Sequence, residues 1–382
     1  MEEMQEEEQV RKITCCAPIN IAIIKYWGKL CEVENLPLNS SFSITLNYHD
    51  LCTTTTVTTA PSYVKDQVYV NDLWQDINEN PRLKVCFEEM RRLARKQAIS
   101  ENAAAKELMS CSKKIHVQSV NNFPTKAGLA SSASGYAALT FALGQLLGVK
   151  GDLSGVARRG SGSACRSMCG GFVEWLKSEE SKNSTAKQFV DETHWPELRV
   201  FILVVSSKQK SFGSTVGMQR SVETSALLKH RIENIVPHRI KVLKQAVLEK
   251  DFCLFAEICM KESNQLHAIC MDTFPPLRYL NNVSEKIMNF VYSYNERCGS
   301  TRVAYTFDAG PNAFLFTLAP FAEDLANQIY QVFPPSKDCT DTFFKTTEEF
   351  SFPNGKIVPD VTDCGLIEYV ICTKPGPGPQ IV

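Results

Sequence analysis

The chain has 382 residues, with 41 Lys and Arg against 42 Asp and Glu and a hydrophobic fraction of 44%. These proportions fit two domains or one large two-lobed unit, and they exclude a disordered, collagen-like or fibrous chain. A net charge of −1 argues against broad attraction to nucleic acid or an anionic membrane, so any bound anion has to be held by a local cluster.

In chain order, Glu2, Glu3, Glu6, Glu7 and Glu8 make an acidic start unlike a signal peptide. Residues 12–75 read mainly as strands: a β-rich run over 13–24 broken by Pro18, and a second over 42–59 in which Thr53 to Thr56 are expected on a solvated strand face. Asn80-Pro81 opens a helix, with Asn as cap and Pro at the first position, and Leu83, Cys86, Phe87, Met90 and Ala94 share one of its faces. A strand over 114–120 points Ile115, Val117 and Ser119 to one side and His116 to the other. A turn at Phe123-Pro124 leads to a helix carrying Tyr136, Leu139, Thr140, Leu143 and Leu147 and ending near Gly148.

A Gly/Ser-rich segment over 160–171 precedes a strand at 172–176, and the polar residues 178–192 read as a surface loop. The continuous apolar run 200–205 predicts a strand buried on both faces, and it is far too short to span a bilayer. Residues 223–298 are mostly helical, interrupted at Pro275-Pro276; strands follow at 303–307 and 313–318, a helix near 323–332 and a last strand at 369–372. This order predicts an α+β protein with two lobes. Fifteen scattered cysteines without a C-x-x-C pair are expected as reduced thiols packed as small hydrophobes, in a cytoplasmic setting.

Four segments carry chemistry. Pro124-Thr125-Lys126-Ala127-Gly128-Leu129-Ala130-Ser131-Ser132-Ala133 follows a strand and opens a helix, where unpaired N–H groups and the positive dipole end converge on an anion. It lacks the Gly-Lys-Ser/Thr of the common P-loop, and a serine-capped core helix is the plainer alternative. In Ser161-Gly162-Ser163-Ala164-Cys165-Arg166, small residues lead to an arginine whose rigid fork suits carboxylate or phosphate; a turn with a surface ion pair is the alternative. Asn20 and the run Lys25-Tyr26-Trp27-Gly28-Lys29 place two lysines around an aromatic pair at a strand end. Phe307-Asp308-Ala309-Gly310-Pro311-Asn312 ends an apolar strand on an aspartate. Arg82, in the first turn of its helix, opposes the macrodipole unless an anion lies nearby.

Together these segments resemble the mevalonate diphosphate decarboxylases of the GHMP kinase superfamily, over nearly the whole chain from Ala17 to Gln380. The Tyr26-Trp27-Gly28-Lys29 and Asp308-Ala309-Gly310-Pro311-Asn312 segments separate that family from the sugar and mevalonate kinases; His194-Trp195-Pro196-Glu197 and Gly213-Ser214-Thr215-Val216-Gly217-Met218 also match it. The chain departs from the family pattern at Lys126, at the Asn71-Asp72 pair of a surface hairpin, and in stopping soon after Gln380.

The resemblance implies a two-lobed GHMP kinase fold around a deep cleft. Residues 1–198 would form an amino-terminal lobe like the second domain of ribosomal protein S5, and residues 199–382 a ferredoxin-like carboxyl-terminal lobe. It implies ATP-dependent decarboxylation of (R)-5-diphosphomevalonate to isopentenyl diphosphate in a cytoplasmic homodimer, with no nucleic-acid or membrane partner. Asp308, Lys25 and Arg166 would be catalytic. Asn20, Tyr26, Trp27, Gly28, Lys29, Arg82, Ser161, Gly162, Ser163, Ala164, Cys165, Ser214 and Thr215 would bind the substrate. Gly128, Leu129, Ala130, Ser131 and Ser132 would hold ATP, with Mg2+ carried by the ATP phosphates and Ser131 or Ser132 rather than by a protein cage. Asp308→Asn is expected to abolish turnover without loss of stability. The rival readings are a kinase of the same superfamily and a catalytically dead metabolite-binding regulator.

Overall fold

The structure is a computed structural model that describes residues 10–101, 113–123, 131–205, 213–336, 343–345 and 364–382. The acidic start and residues 124–130, with Lys126, Gly128, Leu129 and Ala130, lie outside the described residues.

Three main sheets organise the chain. A six-stranded sheet runs in the order Gln380–Ile381, Arg11–Pro18, Cys52–Thr59, Ile115–Asn121, Gln67–Val70, Leu73–Gln75. One face is covered by the helices Pro81–Ser100 and Ser131–Leu147, which bury Val57, Val117, Leu83, Phe87, Met90, Leu139 and Leu143 together. The buried face of Pro81–Ser100 is the predicted one, and Asn80 caps it by accepting from the Leu83 N–H at 3.3 Å. The hairpin Asn71-Asp72 has both residues at positive φ, 47° and 61°, the geometry that a two-residue turn needs to follow the strand twist.

A four-stranded sheet has the order Ala186–Val190, Phe172–Trp175, Ser41–Thr45, Asn20–Ile24, and a five-stranded sheet the order Ala304–Phe307, Ala313–Leu318, Leu198–Val204, Tyr369–Thr373, Phe344–Lys345. Leu198–Val204 is buried on both faces, as its apolar run predicts. Val200 and Ile202 face a core shared with Ile21, Ile44, Phe172 and Phe255, whereas Phe201 and Leu203 face the helices Asn282–Cys298 and Ala319–Val332. The helices Val236–Glu249 and Phe252–Asp272 close the shared core, so the second half of the chain packs directly on strands from the first.

Several local expectations change. Residues 178–192 hold a 3-10 turn, Ser181–Asn183, and the edge strand Ala186–Val190 paired with Phe172–Trp175. The strand sits at a sheet edge and leaves Lys187 and Gln188 in solvent, so its composition reads as a loop. Thr53 and Thr55 are buried, because their strand lies inside the sheet beneath a helix; Thr53 Oγ1 meets Ser134 Oγ at 2.6 Å and Thr55 Oγ1 meets Ser119 Oγ at 2.9 Å. The Gly/Ser-rich segment forms a 3-10 helix, Gly162–Met168, and the last strand, Gln380–Ile381, returns to cover the edge of Arg11–Pro18. No disulfide forms among the described residues, and no helix among them is long and apolar enough to cross a membrane.

Candidate active site

A pocket of about 480 Å³ opens where the end of strand Asn20–Ile24, the start of helix Ser131–Leu147, the 3-10 helix Gly162–Met168, the start of helix Ser214–Thr224 and the end of strand Ala304–Phe307 converge. Its described lining carries four cations, Lys25, Lys29, Arg82 and Arg166, against one carboxylate, Asp308. This is the local cluster that a near-neutral chain needs in order to hold an anion.

Lys25 is 1% exposed and donates from Nζ to Asp308 Oδ1 at 2.7 Å, while the Asp308 side chain remains 33% exposed on the pocket side. Lys29 Nζ pairs with Glu32 Oε2 at 2.7 Å, and Arg82 Nη2 donates to Thr215 Oγ1 at 3.0 Å, tying the start of helix Pro81–Ser100 to that of Ser214–Thr224. Arg166 is 3% exposed, and its hydrogen-bond partners are neutral: Nε donates to Asn20 Oδ1 at 3.2 Å and Nη1 to Ser41 Oγ at 2.8 Å, while the guanidinium lies 5.7 Å from the Trp175 ring centre. Burial pulls its pKa down and the Asp308 charge opposes that in part, yet a guanidinium remains charged. A buried cation without a paired carboxylate is costly by itself, and an anion in the pocket offsets that cost.

Tyr26 presses its ring on Trp175, with centroids 4.6 Å apart, and burial pushes its phenol pKa up. Among the described residues its buried hydroxyl has no hydrogen-bond partner, which leaves it an orphan donor in the pocket wall. Gly162 fits beneath it because a Cβ there would sit 2.9 Å from the Tyr26 hydroxyl and 3.1 Å from Trp175. Trp27 lines the pocket but is anchored behind it, donating from Nε1 to Ser221 Oγ at 2.9 Å. Ser132 Oγ lies 3.2 Å from Ser161 Oγ, bringing the helix start against the 3-10 segment.

The pocket therefore gathers Lys25, Tyr26, Trp27, Lys29, Arg82, Ser131, Ser132, Ser161, Gly162, Ser163, Arg166, Ser214, Thr215 and Asp308. Of the expected residues that the structure describes, four do not line it. Asn20 stands behind Arg166 and also donates to Ser163 O and Ser167 Oγ. Gly28, at φ +92°, makes the bend between the two lysines. Ala164 is buried, and Cys165 is buried with its thiol on Gly162 O and its pKa pushed up to about 12 by burial, so it is not a reactive thiolate. The His194-Trp195 motif is also structural: Trp195 sits in the shared core and His194 Nε2 lies 2.9 Å from Val247 O.

Sequence reasoning missed Ala22, Asn35 and Leu266 in the lining, none of which carries a local signal. It also missed His267, whose ring is near Lys25 and Asp308; burial first and Lys25 second lower its pKa to about 4. Among the described residues no group of three His, Cys, Asp or Glu side chains can hold a metal, and the one lining carboxylate is engaged by Lys25.

Residues 17–186 match the family model for the diphosphomevalonate decarboxylase-like N-terminal domain, and residues 200–382 that for the mevalonate 5-diphosphate decarboxylase C-terminal domain. The diphosphomevalonate decarboxylase of Rattus norvegicus is 49% identical over 383 residues, which cover 99% of this chain and 95% of the relative. Among solved structures, the mevalonate diphosphate decarboxylase from Trypanosoma brucei superposes with a TM-score of 0.86 at 38% identity, over 97% of this chain and 98% of the other. MDDEF, solved in complex with MVAPP, AMPPCP and magnesium, superposes with a TM-score of 0.75 at 31% identity, over 98% of this chain and 99% of the other.

Proposed function

The chain belongs to the diphosphomevalonate decarboxylases, and from that premise we propose how its pocket carries out the ATP-dependent decarboxylation of (R)-5-diphosphomevalonate to isopentenyl diphosphate, ADP, phosphate and CO2. The observation that carries the reading is Arg166: a buried guanidinium with neutral partners, in a wall of four cations and one carboxylate. The substrate brings a carboxylate and a diphosphate to that wall, and ATP brings a third anionic group.

In this reading Arg166 and Lys29 hold the substrate anions, with Arg82, Ser163, Ser214 and Thr215 contributing donors and Tyr26 supplying its orphan hydroxyl. Ser131 and Ser132, at the amino end of their helix and continuous with residues 128–130, hold the ATP phosphates. The complex of MDDEF with AMPPCP and magnesium supports ATP with Mg2+ as the phosphoryl donor; in this chain Ser131 or Ser132 would help the ATP phosphates hold the metal. When bound, Mg2+ neutralises charge on the transferring group.

Asp308 orients the 3-hydroxyl of the substrate. The hydroxyl oxygen bonds to the γ-phosphorus, the bond to ADP breaks, and Asp308 takes the proton late, since a loose transition state needs little early deprotonation. The new tertiary phosphate leaves, taking the proton from Asp308 as it goes, and the re-ionised Asp308 carboxylate stabilises the positive carbon behind it. The bond to the carboxylate then breaks, its electron pair forms the double bond, and CO2 departs. Lys25 holds Asp308 in place at 2.7 Å.

The reading includes the division into lobes over 1–198 and 199–382 with the pocket as the cleft between them, the S5-like and ferredoxin-like descriptions of those lobes, and a cytoplasmic homodimer. The carboxyl-terminal strand crosses that division to join the first sheet. The test incubates the protein with ATP, Mg2+ and diphosphomevalonate and follows CO2 and phosphate together. Equal release of both is expected. ADP formation without CO2 would make it a kinase of the superfamily, and binding without turnover a regulator.

A further inference from the structure

Lys25 has left its strand, which ends at Ile24, so both of its main-chain polar groups need partners outside the ladder. They find them on one buried ion pair. The Lys25 N–H donates to Glu262 Oε2 at 3.0 Å, and its carbonyl accepts from Arg231 Nη2 at 3.0 Å and from Asn39 Nδ2 at 3.0 Å. Arg231 meets Glu262 fork to fork, Nη1 to Oε1 at 2.7 Å and Nη2 to Oε2 at 2.6 Å, and neither side chain has any exposure. Arg239 adds a bond to Glu262 Oε1 at 2.6 Å, and Gln265 Oε1 accepts from both arginines at 2.7 and 2.9 Å.

Neither Arg231 nor Glu262 lines the pocket. Glu262 projects from the middle of helix Phe252–Asp272, and Arg231 opens the π-helical turn Arg231–Ile235, an irregularity of the kind that recurs at functional sites. Burial alone would raise the Glu262 pKa, but the charges and hydrogen bonds of Arg231 and Arg239 outweigh it and hold the carboxyl below its ordinary value.

Such a pair is weak evidence for stability, since apolar side chains of similar volume often serve a core as well or better. What apolar side chains cannot do is bind the N–H and the carbonyl of one residue from a single planar fork. We infer that the Arg231–Glu262 pair is a positioning device for Lys25, clamping its main chain so that the ammonium stays on Asp308 at the reacting centre. The inference rests on the roles proposed above for Lys25 and Asp308. Arg231 and Glu262 are positioning residues in this scheme; the substrate never touches them.

The full chain with Arg231→Lys tests it, because an ammonium keeps the charge but cannot hold Glu262 and the Lys25 carbonyl in one plane. The single-turnover rate of CO2 release, at saturating ATP and diphosphomevalonate and well below each variant's melting midpoint, should fall at least tenfold. Nucleotide affinity, measured by equilibrium binding, should stay within twofold of the parent. A folded Arg231→Lys protein with the parental rate overturns the inference. Should Arg231→Lys fail to fold, Glu262→Gln decides, since the amide keeps the size of the side chain but leaves one oxygen to serve Arg231, Arg239 and the Lys25 N–H. A several-fold rate loss with intact nucleotide binding is then expected, and a parental rate overturns the clamp. Asp308→Asn, assayed alongside, separates the two levels: if it also turns over normally, the proposed site is wrong rather than the clamp.

Discussion

Replacing Asp308 by asparagine perturbs both the chemistry and the pair that holds Lys25. The carboxylate meets Lys25 Nζ at 2.7 Å, where the lysine side chain is 2% exposed and the aspartate 33%. Exposed pairs contribute about 0–1 kcal/mol, whereas removing one partner of a fully buried pair costs about 3–5 kcal/mol. With one partner buried and the other a third exposed, Asp308→Asn should destabilise the fold by about 1–3 kcal/mol, the amide oxygen still accepting from Nζ. The sequence-based expectation of unchanged stability is therefore revised: the carboxylate compensates a buried ammonium and is more than a source of strain. Turnover should fall by about 10²–10⁴ from loss of the base alone, with lost stabilisation of the positive centre adding to it. Nucleotide affinity should hold, because Ser131 and Ser132 lie on a different segment. The assays are denaturant unfolding, single-turnover CO2 release and equilibrium nucleotide binding, run also on Lys25→Met/Asp308→Asn. The double variant removes the orphaned charge, so it should regain stability without regaining turnover. An asparagine variant within a few-fold of parental turnover would refute the catalytic role. A double variant no more stable than Asp308→Asn would refute the electrostatic reasoning.

Arg166→Lys keeps a charge but cannot reach both Asn20 and Ser41 in the plane of the guanidinium, so kcat/KM for diphosphomevalonate should fall at least tenfold, about 1.4 kcal/mol; full activity would show that charge alone matters there. Ser131→Ala with Ser132→Ala should weaken ATP binding while leaving the melting midpoint near that of the parent, and unchanged ATP affinity would make the segment a capped core helix. His267 has its pKa lowered from 6.5 to about 4, so between those values the unfolded chain binds a proton that the folded chain does not. Stability should be complete above that window and fall as pH drops through it, by at most about 1.4 kcal/mol per pH unit. Urea unfolding at several pH values should show this slope, and His267→Gln should flatten it; an identical slope in the variant would remove His267 as the cause.

What the sequence determines by itself is whatever a short window can encode. The helix Pro81–Ser100 is legible with its cap and all five of its buried residues, because capping and a 3.6-residue period are local. Leu198–Val204 is legible as doubly buried, because an apolar run without alternation has no solvent face. The family is legible from the segments around Lys25, Arg166 and Asp308, whose residue types the chemistry requires. Periodicity reports that a side chain is buried and is silent about its partner. Lys25 meets Asp308 across 283 residues and Glu262 across 237, and Arg166 meets Asn20 across 146. The edge strand Ala186–Val190 and the returning strand Gln380–Ile381 are likewise defined by the neighbours they pair with, in stretches whose composition is that of loops. That Arg166 is a buried cation with neutral partners, and that an ion pair outside the pocket holds the main chain of Lys25, was decided by the tertiary structure alone, because hydrogen-bond geometry and desolvation exist only once distant segments have been brought together.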